Sequence, residues 1–359
     1  MCVIIFSIII MPALIKKIAV LYNSINEVKK GNPLDKLADD DNFQCAKDVY
    51  ECLLKLGYEA DLVNVTRKTL NILPNLKADL IFNLLEGFDD LPNSFCSITT
   101  FIEALGIPMT GSSSFSGAIT IDKARTKDYL VKYKIPTPNY QLFISSEDYL
   151  KYSLRYPLIT KPNSADSSIG ITQESVVKNF NELKDRINII KEEYKDATLA
   201  EEYIEGRELE VFTVKKGRDL VILPVLEGLF IPDANRKWNI CDFEHKWGPN
   251  SYCDEACPAE LTDSVLGGIQ DIVYKTQKTF DITGYFRLDL RLSKDNVPYV
   301  IEVNVNPGLD KSVMASKLAA AGLSYELFVQ LIIDSAVEEY ESVKQPSTSF
   351  LEKANLIES

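Results

Sequence analysis

Hydrophobic and polar residues alternate most regularly between Gly284 and Asp310. The runs YFRLDLRL and PYVIEVNV flank the turn-forming SKDN, the pattern of a β-hairpin with one buried face. Arg287, Asp289 and Arg291 share a parity on the first run, as Glu302 and Asn304 do on the second. Alternate strand residues point to one face. Asp289, Glu302 and Asn304 can therefore converge as three hard oxygen donors, the kind Mg²⁺ takes when water and phosphates complete its shell. A solvated, charge-bearing sheet face is the open alternative.

From Lys17 onward, strand-like and helix-like periods alternate. KIAVLY reads as a strand, GNPLDKLADDDN as a loop, and FQCAKDVYECLLKLG as a helix stopped by Gly57. YEADLVNV and ADLIFNLLEG read as strands, and FCSITTFIEALG as a helix leading to IPMTG. This alternation predicts a parallel sheet covered by helices, which binds ligands at the strands' C-terminal ends. Asn83, Glu86 and Gly87 fall at such an end. A substrate role for Glu86 stands beside the alternative of a loop carboxylate without one. A domain boundary is expected near Gly117, where a helical stretch rich in Lys and Arg runs on to a stop before Pro136 and Pro138.

YPLITKPNSADSSIGIT is a strand entering a Ser/Gly-rich loop, followed by the helix-forming FNELKDRINIIKEEYK. Lys161 ends the strand, and Ser164, Ser167, Ser168 and Gly170 offer hydroxyls and backbone N–H groups. Such a loop can fold over phosphates while the lysine supplies a point charge. GxxxxGK[ST] is absent, and a plain surface turn is the alternative. In TLAEEYIEGRELEVFTV two strands enclose the acidic turn from Glu201 to Gly206. That turn is either a hairpin or a connection between lobes that presents backbone groups to a purine edge.

Composition narrows the class. The 359 residues are 46% hydrophobic and 25% charged, a globular chain of two or three domains. With 39 Lys+Arg against 52 Asp+Glu, the formal charge is -13, which argues against nucleic-acid or anionic-membrane partners. Cys2, Cys45, Cys52, Cys96, Cys241, Cys253 and Cys257 are scattered, and His245 is the single histidine. Thiols of a reducing cytoplasm are expected rather than a zinc site or disulfides. MCVIIFSIIIMP is too short to span a bilayer and lacks the basic flank of a signal peptide. Residues 1–16 are expected to be an extension, with Met11 a candidate start and a membrane anchor the alternative. KQPSTSFLEKANLIES, after Val343, reads as a frayed end.

The fragments FNLLEG, MTGSSSFSGAITIDKARTKDYL, ITKPNSADSSIG, LAEEYIEGRELEVFTV, CDFEHKW, CPAEL, FRLDLRL, IEVNVNPGL and AAAGLSYELFV, in this order, resemble the ATP-grasp superfamily. Within it they resemble the D-alanine:D-alanine ligases and their relatives, from about Lys17 to about Ala336. The resemblance implies an α/β chain in which an N-terminal Rossmann-like parallel-sheet domain (17–117) precedes a two-lobed ATP-grasp fold. Its small lobe would be 118–202 and its metal-bearing large lobe 203–343, with 344–359 a tail.

By the same resemblance, Lys123 and Lys161 contact nucleotide phosphates under the SADSSIG loop, in which Ser168 serves the nucleotide and Ser167 the chemistry. Glu201, Glu202 and Ile204 form the adenine-binding linker, and Glu208 holds the ribose. Lys246 reaches the γ-phosphate from a mobile loop, Arg287 and the Gly308 amide serve the tetrahedral intermediate, and Asp289, Glu302 and Asn304 hold metal, normally two Mg²⁺, with Mn²⁺ an alternative. Ser312 matches a serine that contacts the second substrate only across a one-residue gap.

The implied reaction joins two amino acids through an acyl phosphate. The alternatives are a ligase for another amino acid, hydroxy acid or dipeptide, and an ATP-binding protein without ligation. Relatives of this kind are often dimers, so a homodimer is a further expectation. The departures cluster on the first-substrate side. LYNSINEVKKGNPLD replaces the usual Gly-rich opening, Glu86-Gly87 stands for His-Gly, Asp166 stands where glycine is usual, and Trp247 replaces a tyrosine. A structural or solvent role is expected for His245.

Overall fold

A computed structural model describes residues 15–23, 36–88, 94–231, 236–247 and 253–344. The expectations for residues 1–14 and 345–359 lie outside the described residues. The first part of the chain forms β1 (Lys17–Tyr22), α1 (Lys36–Lys55), β2 (Glu59–Asn64), a 3-10 turn at Leu70–Asn75, β3 (Leu80–Asn83) and α2 (Ser94–Glu103). The strands pair in parallel in the order β2-β1-β3. Alternation along β1 sends Ile18 and Val20 to the face covered by α1, and Ala19 and Leu21 to the face covered by α2.

Helix α1 begins at Lys36, so part of the acidic segment read as a loop is helical. The helix stops as expected: Gly57 adopts φ +89 while Tyr58 N–H donates to Leu53 O at 3.0 Å, a left-handed cap that favours glycine.

The stretch read as one basic helix is two, α3 (Ser114–Thr120) and α4 (Lys123–Lys132). Asp122 breaks it by capping α4, its side chain accepting from Arg125 N–H. The expected boundary at Gly117 falls inside α3, which Ser116 ties to Asp281 O at 2.9 Å.

The next segment supplies β4 (Tyr140–Phe143), β5 (Leu158–Pro162), β6 (Val176–Val177), α5 (Phe180–Ile189) and β7 (Thr198–Glu202). They make an antiparallel sheet in the order β4-β7-β5-β6, with Leu183 and Ile187 of α5 packed on Phe143, Leu158 and Ala200. Then come β8 (Gly206–Lys216), β9 (Asp219–Ile222), β10 (Leu226–Phe230), α6 (Phe243–Trp247), β11 (Cys253–Ala256), α7 (Asp263–Thr279), β12 (Tyr285–Ser293), β13 (Pro298–Asn304), α8 (Lys311–Ala321) and α9 (Tyr325–Lys344). This second antiparallel sheet runs β11-β10-β8-β12-β13, with β9 on β8.

Strands β7 and β8 belong to different sheets, so EEYIEG crosses from one to the other and is not a hairpin. Gly206 is required where the crossing chain meets β12, because a Cβ there would lie 2.0 Å from Leu292 O. Phe212, Val214 and Tyr285 of the second sheet share a core with Ile18, Val20 and Phe82. The first parallel sheet is therefore fused to the second sheet by apolar packing. Among the described residues no single helix is long and apolar enough to cross a membrane, and none of Cys45, Cys52, Cys96, Cys241 and Cys257 is disulfide-bonded.

Candidate active site

The hairpin of β12 and β13 forms the floor of the site. Arg287 pairs with Asn304, and Asp289 with Glu302, before a bulge shifts the register so that Leu290 meets Val300. The bulge is decisive. Continuing the turn-proximal register would set Asp289 opposite Ile301, whereas the extra residue brings Glu302 and Asn304 onto the Asp289 face. On the other side of β12, Asp289 pairs with Glu210 of β8.

Three carboxylates thus stand in a row across adjacent strands. Like charges directly opposite one another repel, so the row needs counter-charge. Arg287 supplies part of it, donating to both Asp289 oxygens at 2.7 and 2.9 Å and lying 3.6 Å from Glu210. Lys317 of α8 reaches Glu210 at 2.8 Å and Lys123 reaches Glu302 at 2.6 Å. Burial disfavours charge on Glu302, but Lys123 and Lys161 overcome it and hold its carboxyl down at about 2. For Asp289 burial prevails over Arg287 and raises the carboxyl.

Lys123 owes its place to the break between α3 and α4. It opens α4, its N–H donating to Asn163 O, while the Asn163 side chain bonds Ala124 N–H and Asp122 at the end of β5. Its ammonium also meets Asp166 of the SADSSIG loop at 2.8 Å. Although burial works against it, these two carboxylates raise the Lys123 pKa. Ser167 and Ser168 both adopt positive φ, +55 and +60, a backbone state that costs about 1–3 kcal/mol per non-glycine residue and recurs in ligand clamps. Ser168 donates to Cys241 O at 2.8 Å and Phe243 N–H to Ile171 O at 3.0 Å, so the loop is clasped to the segment leading to Lys246. Arg186 anchors its far end, donating to Gly170 O at 2.8 Å.

Lys161, on β5, points to Glu201 at 2.6 Å, and Lys127 reaches the other oxygen of the same carboxylate at 2.7 Å. The Lys127 contact falls short of hydrogen-bond alignment, so it is an ion contact. All three side chains are buried. Burial depresses the Lys127 ammonium to about 8, while the two lysines outweigh burial at Glu201 and lower its carboxyl.

The side chains of the expected adenine linker are thus turned to other work. Glu201 is sequestered between lysines, and Glu202 accepts from Asn139 at 3.0 Å and from Arg155 N–H at 2.8 Å. The half-buried Ile204 lies on the crossing itself. Glu208 faces the floor, its Oε1 paired with Arg291 at 2.9 Å, and burial raises its carboxyl.

Lys246 is exposed on α6, and its charge helps lower Glu210, behind the larger effects of Arg287 and Lys317. The side chains of His245 and Trp247 lie outside the described residues. Gly308 is exposed in the loop from β13 to α8. Ser312 donates to Asp310 at 2.5 Å as part of the α8 cap. Glu86 is exposed just past β3, its N–H bonded to Asn23 at 2.8 Å. Asn306 joins this loop to the floor, donating to Leu85 O at 3.3 Å while accepting from Tyr285 at 2.9 Å.

The floor therefore offers hard oxygen groups, and its acidic row already requires cations, which fits Mg²⁺ in donor chemistry. Among the described residues no three His, Cys, Asp or Glu side chains converge closely enough to hold an ion unaided; phosphate and water oxygens would complete the shell.

Sequence reasoning brought together Lys123, Lys161, Arg287, Asp289, Glu302 and Asn304. It missed Glu210, Lys127 and Lys317. Glu210 shares its strand parity with Glu208, and Lys127 stands four residues after Lys123 on one helix; both signals were present. Lys317 has none, since only tertiary packing brings α8 to β8.

A parallel-sheet domain followed by two antiparallel sheets, joined by one crossing and enclosing paired lysines over an acidic floor, defines an ATP-grasp protein. The family profile described as D-ala D-ala ligase C-terminus matches residues 130–334. D-alanine--D-alanine ligase of Desulfotalea psychrophila is 31% identical over 283 residues, covering 76% of this chain and 84% of that protein. The enzyme of the same name from Bordetella petrii is 29% identical over 312 residues, covering 85% and 90%. In fold, the chain is similar to a Bacillus anthracis D-alanine--D-alanine ligase crystallised in complex with ATP, with TM-score 0.70, 22% identity, and 91% and 99% of the two chains covered. The chain belongs to the D-alanine–D-alanine ligase family, a family of ADP-forming carbon–nitrogen ligases.

Proposed function

We propose that this chain joins the carboxylate of one amino acid to the amine of another, converting ATP to ADP and phosphate. The observation that carries this reading is the counter-charged row Glu210–Asp289–Glu302 beneath Lys123 and Lys161. Phosphoryl transfer needs mainly positioning and charge neutralisation, and these groups supply both.

A substrate carboxylate oxygen attacks the γ-phosphorus, ADP leaves, and an acyl phosphate forms. The second substrate's amine then attacks the carbonyl carbon, and phosphate departs from the tetrahedral intermediate. Lys123 and Lys161 hold the nucleotide phosphates, and ATP displaces Asp166 from Lys123. Lys246 approaches the γ-phosphate, with Ser167 in the loop above it. Arg287 and the Gly308 N–H stabilise the developing oxyanion. Asp289, Glu302 and Asn304 would hold Mg²⁺, which neutralises phosphate charge when bound. The clasp between the SADSSIG loop and Cys241–Phe243 excludes water that would hydrolyse the acyl phosphate.

Ile204 and its neighbours receive the adenine through backbone groups, and Glu208 receives the ribose. D-Alanine is the first candidate for both substrates, with Glu86 and Ser312 lining the amino-acid side. The divisions 17–117, 118–202 and 203–343, with α3 straddling the first boundary, belong to the same reading, as do a cytoplasmic location and a homodimer. The test is ADP release with Mg²⁺ and ATP against a panel of amino-acid pairs. Stimulation by D-alanine is expected. Tight Mg-ATP binding without any substrate-stimulated ADP would overturn the ligase reading.

A further inference from the structure

Arg291 shares the site face of β12 with Asp289 and Arg287, yet nothing in the reaction above uses it. It is 5% exposed, and both terminal nitrogens of its guanidinium have partners. One terminal nitrogen donates to Gly206 O, at the end of the crossing between the sheets, at 2.9 Å. The other donates to Asn239 O and pairs with Glu208 Oε1 at 2.9 Å. The rings of Tyr203 and Phe230 flank it, with centroids 5.4 and 5.8 Å from the guanidinium carbon. Cys241 N–H approaches the same Glu208 oxygen at 3.4 Å. One planar fork thus ties together the crossing, the Glu208 carboxylate and the segment that continues through Asp242 to Lys246.

Two consequences follow for Glu208. Among the described residues both contacts fall on Oε1, which leaves Oε2 to accept a hydroxyl. Burial also works against the charged form that a hydroxyl donor needs, and Arg291 is the nearest compensating cation. A lysine would supply the charge without the two-pronged geometry.

We infer that Arg291 is a positioning residue for ribose recognition: it fixes the Glu208 carboxylate, and with it the selectivity of the site for a nucleotide carrying both ribose hydroxyls. The inference rests on the proposed ribose role of Glu208, and the test separates the two. Calorimetric Kd values of the full chain are measured for ATP, 2′-deoxyATP and 3′-deoxyATP with Mg²⁺, a readout that requires no amino-acid substrate. Wild type is expected to bind at least one deoxynucleotide roughly tenfold more weakly, the scale of one hydrogen bond to a charged acceptor. In Arg291→Met that preference should fall below about threefold, as in Glu208→Gln. The double variant should lose no more selectivity than either single one, because both changes remove one recognition unit.

Arg291→Lys should retain an intermediate preference, and it carries the test should Arg291→Met fail to fold. A variant at Arg291 that weakens all three nucleotides equally, with the preference intact, would overturn the inference while leaving Glu208 its role. Full selectivity in Glu208→Gln would overturn the ribose reading and this inference together.

Discussion

Glu201→Gln is the most exposing perturbation of the site's foundations. Among the described residues Glu201 is the one carboxylate in contact with the buried ammonium groups of Lys127 and Lys161, at 2.7 and 2.6 Å, and its own side chain is 1% exposed. Removing its charge leaves two lysines in a dry pocket. Stripping one partner from a buried ion pair costs about 3–5 kcal/mol, because the remaining charge is uncompensated. For a chain of 359 residues one kcal/mol moves Tm by a little over about 1 °C, so this corresponds to a fall of roughly 4–7 °C in Tm.

Lys127 is the group expected to lose its proton in the variant, since burial already holds it down at about 8 with the carboxylate present. Adding Lys127→Met should therefore rescue part of the loss, because it removes the surplus cation. Thermal and urea denaturation of wild type, both single variants and the double variant provide the cycle. A Glu201→Gln protein within about 1 kcal/mol of wild type, or a double variant whose loss equals the sum of the singles, would refute the argument. A direct adenine contact through the Glu201 side chain predicts a different pattern, with weakened nucleotide binding and unchanged stability.

Three further outcomes are expected. Glu302→Gln should lower kcat by about 10²-fold or more, the scale of a lost electrostatic catalytic group; undiminished turnover would sink the metal assignment. Asp166→Asn removes the carboxylate that competes with phosphate for Lys123 at 2.8 Å. A half-exposed pair of this kind contributes about 0.2–1 kcal/mol, so KM for ATP should fall by roughly 1.5- to 5-fold, and a rise would contradict the competition. Burial raises the Cys52 thiol from 9.0 to about 11. Its folded pKa lies above the unfolded one, so its contribution is complete below pH 9 and declines from 9 to about 11, by at most about 2.7 kcal/mol. The difference in urea midpoint between wild type and Cys52→Ala should show that window, and a flat difference across it would contradict the burial argument.

Much of the fold was legible because it rests on local periods. The alternation of KIAVLY and YFRLDLRL, the helix spacing of FQCAKDVYECLLKLG and the stop at Gly57 all report burial through period and backbone freedom. The acidic start of α1 was misread because its charge density resembles a loop. The break between α3 and α4 was missed because one Asp cap outweighed a continuous helical composition.

The sequence by itself determined which chemistry is available: two lysines, an arginine, a few oxygen donors and a polar loop, arranged in the order of one family. Only the tertiary structure decided how they meet. Strand parity alone leaves two registers for the hairpin, and the bulge beyond Asp289 selects the one that places Glu302 and Asn304 on the same face. Glu210 joined that face through pairing of β8 with β12, nearly 80 residues apart in the chain, and Lys317 reached it by packing of α8. Glu201 illustrates the same limit, since its place in the linker was readable but its capture by Lys127 and Lys161 was not. Side-chain direction is set by long-range neighbours, whose identity a local pattern does not encode.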